Sequence, residues 1–486
     1  MGPNYPATSR TPGSLSAAEG KAIALELNRR AGENPLYQDT KYELQPGRNA
    51  SWRLSPEPNA LPLSVFHQIQ GLGGHLLAFL HASNKLYQDS VRGRQPEWIH
   101  RLLDQGKPEA LVEYQRMNRF KRLTPMVIRP DLVLDEDGRL VACELDAVPG
   151  GIGMTGSMAH DYTDFGYAVI GGANGLVENY AKMIRGVAGK DHPTLAIVVS
   201  EESGDYWTEQ QWLARQLNAI GLETTVVRPE TLRYNGEEIL ADFDGEFRHV
   251  DVLYRFFELF DLKNIPMQEL IQYANKKQQV VVTPPYKAYL EEKLLFALFH
   301  HPVLRPFWCQ ELGKETFAVL ESLLPKTWIL DPTPLPPQAV IPGITVGGVP
   351  ITDWRQLVNT TKREREFVLK PSGFSSLAWG SHGVAFGHDL STEEWAAALD
   401  QALASFPHTP YILQEFHKPA KTTIPYYHFR KEEVVSMDGR ARLCPYYYVI
   451  DGSAVLSGVL STICPLDKLA IHGMTDSVMV PTMVAH

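Results

Sequence analysis

The chain has 486 residues, more than one compact core usually holds, so two or three lobes are expected. Hydrophobic residues make up 44% and charged residues 21%, a globular balance that excludes global disorder. Lys+Arg 46 against Asp+Glu 56 gives a net charge of −10 with no Lys/Arg-rich run. That argues against a nucleic-acid or anionic-membrane surface and leaves any bound anion to local basic residues.

Cys143, Cys309, Cys444 and Cys464 are far apart and form no Cys-x-x-Cys pair. Free thiols in a reducing compartment are expected, and no zinc site. The start of the chain is polar and rich in Pro and Gly, without the apolar core of a signal peptide. No apolar run approaches the roughly 20 residues that span a bilayer. A cytoplasmic protein is expected.

Residues 1–15 read as a disordered N-terminus and 16–121 as a mainly helical region. Ser16-Ala-Ala-Glu19 is a capping box opening a helix. Leu63 to Tyr87 and Trp98 to Met117 carry apolar residues at helical spacing. In the next segment, 122–192, strands are predicted at 126–134 and 140–146 around a turn at Asp137-Gly138. A Gly-rich loop and a helix over Gly175–Ile184 follow.

Segment 193–283 reads as a Rossmann-like lobe: strand Leu195–Ser200, helix Thr208–Ile220, strand Thr224–Pro229 and another strand near Asp251–Phe257. From 284 to 486 a helix is predicted over Lys287–Leu298, then a Pro-rich loop at 331–343. Strand Phe367–Pro371, strand Gly383–Gly387, helix Thr392–Ala404, strand Tyr411–Phe416 and a hairpin about Asp451-Gly452 complete the chain. The overall class is α/β (α+β).

Four constellations carry possible chemistry. Arg129 and Asp131 share one strand face, as do Glu144 and Asp146, because residues i and i+2 point the same way. If the two strands pair these faces, three hard oxygen donors meet a guanidinium, which suits Mg²⁺ beside phosphates. The bland alternative is a surface hairpin with solvated charges. Lys287 and Lys293 form the second group, and alone they read as solvated helix lysines. The third is Lys370-Pro371 followed by a Gly/Ser-rich loop containing Gly380 and Gly383, a form suited to cradling phosphate. In the fourth, strand Tyr411–Phe416 ends in Gln414, Glu415 and Phe416, which could read an adenine edge. A competing motif, Gly151-Ile-Gly153-Met-Thr-Gly156, fits the dinucleotide fingerprint, but the acid-ending second strand is missing.

In this order the residues resemble the synthetase domain of glutathionylspermidine synthase and the wider circularly permuted ATP-grasp enzymes. The resemblance covers roughly 120–486. It implies a circularly permuted ATP-grasp fold with a Rossmann-like pre-ATP-grasp lobe, and ATP and Mg²⁺ as cofactors. It implies Mg²⁺ ligands at Asp131, Glu144 and Asp146, a transition-state role for Arg129, and nucleotide contacts from Lys287, Lys293, Lys370, Gln414, Glu415, Phe416, Gly380 and Gly383. Thr475 to Pro481 is similar to the family's closing motif. Asp146 stands where the family has Asn, the Gly-rich loop is longer and lacks Gly-Arg-x-Gly, and 1–120 has no counterpart. The implied activity is amide-bond formation between a small-molecule or peptide carboxylate and an amine. The alternative is a non-catalytic ATP-binding regulatory or partner protein of the same fold.

Overall fold

The computed structural model describes residues 10–34, 36, 44, 46–378, 383–468, 470, 471 and 476–485. Most of the expected disordered start, residues 1–9, lies outside these. Residues 10–15 are tied down: Arg10 donates its backbone N–H to Gly166, and Gly13 donates to the Glu57 carboxylate.

Helix α1 (Ala17–Glu33) opens with the expected capping box, Ser16 and Glu19 each satisfying the other's backbone N–H. Strand β1 (Asn59–Leu61) precedes helix α2 (Leu63–Val91). The predicted helix over Trp98–Met117 is two helices, α3 (Glu97–Asp104) and α4 (Glu109–Gln115). Gly106 at φ +74 and Pro108 separate them, and a Cβ on Gly106 would lie 1.9 Å from the His408 carbonyl.

Strands β2 (Val127–Leu134) and β3 (Leu140–Asp146) form the expected hairpin. Gly138 sits at φ +78 in its turn, and Asp135 accepts the N–H groups of Asp137 and Arg139. Helices α5 (Ile152–Asp164) and α6 (Gly175–Ala188) follow. The next lobe holds β4 (Leu195–Val199), α7 (Trp207–Ala219), β5 (Thr224–Val227), β6 (Arg233–Tyr234), β7 (Ile239–Phe243), β8 (Glu246–His249), β9 (Val252–Phe256), α8 (Gln268–Lys276) and β10 (Val281–Thr283).

The helix predicted over Lys287–Leu298 is corrected to a 3₁₀ turn at Ala288–Leu290 and a later helix, α9 (Leu294–His300). Residues 291–293 depart from the helix, and their charged groups are held in three different lobes, as described below. Then come α10 (Arg305–Leu323), β11 (Thr327–Ile329), β12 (Thr345–Val346), β13 (Val349–Pro350), β14 (Phe367–Pro371), β15 (Ala385–Phe386), α11 (Thr392–Ser405) and β16 (Tyr411–Glu415). The chain closes with β17 (Lys421–His428), β18 (Glu433–Ile450), β19 (Ser453–Pro465) and β20 (Val478–Val484).

The largest sheet runs β1-β20-β19-β18-β2-β3, with β17 on β18. The hairpin of segment 122–192 therefore shares one sheet with the C-terminal strands, Leu132 opposite Leu443 and Ile128 opposite Tyr447. Helix α2 covers one face, where Gly73 allows the approach: its Cβ would fall 2.6 Å from the Tyr447 ring. Phe79 of α2 stacks on Trp308 at 5.6 Å between centroids, anchoring α10 to the same core. Each such fully buried aromatic contributes on the order of 1.5–3 kcal/mol.

The Rossmann-like lobe is a parallel sheet in the order β10-β9-β4-β5. A third, antiparallel sheet, β11-β16-β14-β15, is backed by α11 through Trp395, Leu399, Leu369 and Leu413. Among the described residues no helix is long and apolar enough to cross a membrane, and all four cysteines are free thiols.

Candidate active site

The β2–β3 register sets Arg129 opposite Asp146 and Asp131 opposite Glu144, so the two faces expected to meet do meet. The Arg129 guanidinium lies 3.1 Å from Asp131 and 2.9 Å from Asp146, and donates to the Gly150 carbonyl at 3.3 Å. From the neighbouring β18, Arg442 donates to Asp131 at 2.9 Å and the Cys444 thiol lies 3.4 Å from it. Tyr446 donates to Gly150 at 2.8 Å. Burial works against the charge on Asp131, but Arg129 and Arg442 outweigh it and hold the carboxyl below its ordinary range. At Asp146 burial wins over Arg129, and its pKa is raised.

Lys293 reaches this hairpin from just before α9. Its ammonium lies 2.7 Å from Glu144 and donates to the Ala378 carbonyl at 3.1 Å. Burial opposes that charge too, but Glu144 outweighs it, so the Lys293 pKa is raised. Lys370 reaches in from β14, donating to the Cys143 carbonyl at 2.9 Å and to Gln414 Oε1 at 2.7 Å. Its pKa is lowered by burial. The space between Glu144, Lys293 and Gln414 is about 10 Å³, room for a water at most.

Each expected metal ligand thus holds a cation of the chain itself: Asp131 with Arg129 and Arg442, Asp146 with Arg129, Glu144 with Lys293. Among the described residues no three such donors stand together as a ready cage. The donor set still fits Mg²⁺, which keeps waters and binds through one or two carboxylates plus phosphate oxygens rather than an all-protein cage. Phosphates would then take over the basic partners that these carboxylates now occupy.

The other expected contacts divide. Lys287 is not brought to this site: its ammonium donates to Asn84 Oδ1 at 2.8 Å and to the carbonyls of Leu123 and Lys121 at 2.6 and 3.3 Å. All three of its donors are used on the helical region and the two residues after it, and burial pushes its pKa down to about 7. The Gln414 side chain does not face open space either. Its oxygen holds Lys370 and its amide nitrogen lies 3.3 Å from Thr327 Oγ1. Glu415 is half-buried near Lys326 and His417, and the Phe416 ring packs on His388 at 4.5 Å. Gly383 touches Pro371, where a Cβ would sit at 2.7 Å. Gly380 lies outside the described residues.

Sequence reading missed Arg442, Cys444 and Tyr446, although their i, i+2, i+4 spacing on a strand was visible. It also missed the partners of residues 291–293. Glu291 pairs with the fully buried Arg255 of β9, and Glu292 pairs with Lys107 from the loop after α3. Ser372, just beyond Lys370, donates to Glu292 as well. Glu258 lies near enough to Glu291 and Asp146 that they add to burial in raising its pKa.

The competing glycine motif is resolved by what fills it. Gly151 and Met154 donate their N–H groups to the Glu209 carboxyl at 2.7 and 3.2 Å, so the start of α5 is closed by a side chain of the chain itself. The glycines serve close packing on α7: a Cβ on Gly153 would lie 2.2 Å from the Glu209 carbonyl, and one on Gly156 2.9 Å from the Trp212 ring. No pyrophosphate has room there.

Neither a protein-family model nor a curated protein sequence matches the chain. Among solved structures it is similar to a glutathione synthetase-like effector from Globodera pallida in its apo form. The two are 13% identical over 98% of this chain and 100% of that one, with a TM-score of 0.57. A provisional gamma-glutamylcysteine synthetase from Methylobacillus flagellatus KT superposes only loosely, at 12% identity over 83% of this chain and 84% of that one, TM-score 0.38. At such identity likeness speaks to fold and not to activity. With that effector the chain shares a mixed α/β fold over 98% of its length.

Proposed function

We propose that the chain is an ATP- and Mg²⁺-dependent carboxylate–amine ligase with a circularly permuted ATP-grasp fold, as in glutathionylspermidine synthase. The observation that carries this is the meeting of Lys293 and Lys370, from two separate elements, on a hairpin face bearing Arg129, Asp131, Glu144 and Asp146. The glutathione synthetase-like fold supports it.

In this reading Lys293 and Lys370 grip nucleotide phosphates, leaving Glu144, Asp131 and Asp146 to hold Mg²⁺. That ion, when bound, supplies charge neutralisation on the phosphates. The substrate carboxylate takes the γ-phosphoryl group, giving ADP and an acyl phosphate. Arg129 neutralises charge on the transferring group from a position fixed by Asp146 and the Gly150 carbonyl. An amine then attacks the acyl carbon and phosphate leaves. Glu415 and Phe416 are the residues proposed beside the adenine edge, through groups other than their N–H donors, which the Lys326 and Glu366 carbonyls already take. Lys287 has no part in it, because its donors are spent elsewhere.

The test is ADP release across a panel of acids and amines, wild type against Glu144→Ala. The variant should fold and lose turnover, and retained turnover would sink the metal assignment. A second reading is a nucleotide-binding partner protein without ligase activity. The tightness of the site favours it, Lys293 being spent on Glu144 and on Ala378 of the loop that departs from the family pattern. Its structural relative is named an effector, which fits the same reading. ATP binding without ADP release over the whole panel would select it.

A further inference from the structure

The loop after β14 is fastened at two points by two neighbouring residues, Glu292 and Lys293, and the fastenings differ in kind. Lys293 holds the far point, donating to the Ala378 carbonyl at 3.1 Å while it pairs with Glu144. Glu292 holds the near point. One of its oxygens accepts from the Ser372 hydroxyl, which itself accepts the Leu294 N–H at 3.0 Å. Gly373 lies against the same carboxylate, where a Cβ would fall 2.6 Å from it. The other oxygen takes the ammonium of Lys107. Glu292 also lines the small space between Glu144, Lys293 and Gln414, so this near point sits at the candidate site.

Lys107 belongs to the helical N-terminal region, in the turn between α3 and α4. That turn is pressed into the lobe that carries the loop. Gln105 donates to the Phe406 carbonyl, and Gly106 fits against the His408 carbonyl only because it has no Cβ. Ser372 donates its own N–H to Pro410 in the same stretch, at 2.9 Å. The Lys107 ammonium lies 5.6 Å from the centre of the Phe374 ring, in the loop itself. Exposure separates the two fastenings. The Lys293 and Glu144 side chains are 12% and 38% exposed, so a charged ligand can reach that pair and replace one partner. Those of Lys107 and Glu292 are 1% and 2% exposed. Parting them would leave a buried charge alone, which is strongly unfavourable, so this pair stays closed.

From this we infer that Lys107 positions the loop expected to cradle phosphate. Through Glu292 it fixes Ser372 and Gly373 next to Lys370, so the helical region sets where the loop meets a nucleotide. When phosphates draw Lys293 to themselves, the Ala378 point is released and the Ser372 point is not. The loop then keeps one fixed anchor, and that anchor is tied to residues some 185 positions earlier in the chain. The effect on binding rests on the nucleotide reading of the site, whereas the fastening of the loop does not.

The test compares Lys107→Met with the double variant Lys107→Met/Glu292→Gln. The single variant leaves the Glu292 charge without its partner and should melt lower than wild type. The double variant cuts the tie but leaves no buried charge, so it should melt near wild type. Ser375 and Ala378 bond their N–H groups within the loop, and in both variants these amides should exchange hydrogen faster in the free protein. Affinity for a non-hydrolysable ATP analogue with Mg²⁺ should fall by about tenfold or more in both, and should stay low in the double variant although its stability returns. Loop exchange in the double variant equal to that of wild type would overturn the proposal, and so would an unchanged affinity, because the pair would then serve stability alone. If the single variant does not fold, the double variant decides by the same two readings. A wild type that binds no nucleotide would end the ligase reading. Exchange at Ser375 and Ala378 would still decide this one, faster in the double variant supporting it and unchanged overturning it.

Discussion

Two places in this molecule carry the sequence marks of an anion site, and they are built in opposite ways. At the start of α5 the glycines and the helix N-terminus are present, but the acceptor is the carboxyl of Glu209, 58 residues on in the chain. On the β2–β3 hairpin the marks are weaker, yet cations from β18, from the turn before α9 and from β14 all arrive. The first site is closed within itself, one carboxylate satisfying the free N–H groups. The second is held by ion pairs between lobes, which a charged ligand can exchange for its own. A glycine spacing describes the backbone, and the partner that comes to it decides the chemistry.

The contrast is sharpest in activity. Arg129→Met should cut ADP release by about 10²–10³-fold or more with the fold intact, as removal of a transition-state donor does. An unchanged rate would move the chemistry off the hairpin. Next in size is Glu292→Ala. It leaves Lys107 without its partner in a pair whose side chains are 1% and 2% exposed, so a loss of about 3–5 kcal/mol is expected in urea unfolding. A loss below about 1 kcal/mol would mean the inter-lobe pairs are not what holds this region.

At the closed site, Gly153→Ala should cost about 1–3 kcal/mol through overpacking on the Glu209 backbone. Nucleotide affinity should stay as it was, and loss of affinity with unchanged stability would restore the glycines to a ligand.

The smallest effect is a pH dependence. Burial pushes Glu209 up to about 7 from the ordinary 4.5, although the N–H groups of Gly151 and Met154 favour its charged form. The folded state then binds the proton more tightly than the unfolded one. The contribution of Glu209 is complete below pH 4.5 and is lost as pH rises through about 7. Gln cannot ionise, so the melting temperature of Glu209→Gln minus that of wild type should climb between pH 4.5 and 7 and level off beyond. A difference that stays flat would mean the carboxyl is charged throughout.

Much of this was legible beforehand. Strand periodicity placed the hairpin and its paired acids, and turn chemistry at Asp137-Gly138 fixed its loop. Order along the chain found Lys293 and Lys370. Lys287 was named through the resemblance and not from its own surroundings, and a break in the helix before Lys293 turns the two ammonium groups to different lobes. The buried pairs Lys107–Glu292 and Arg255–Glu291 were invisible for a related reason. Each joins residues far apart in the chain, and only the packing of three lobes brings them together. Gly106 failed to register as a helix stop because the need for it lies in contact with the His408 carbonyl.

The central claim is that the hairpin carboxylates trade their present basic partners for Mg²⁺ and nucleotide phosphates. Calorimetric titration with a non-hydrolysable ATP analogue, with and without Mg²⁺, on wild type and on Glu144→Ala tests it most directly. The expected result is binding by wild type that requires Mg²⁺ and is lost in the variant. Binding that ignores both Mg²⁺ and Glu144, or no binding at all, would contradict it.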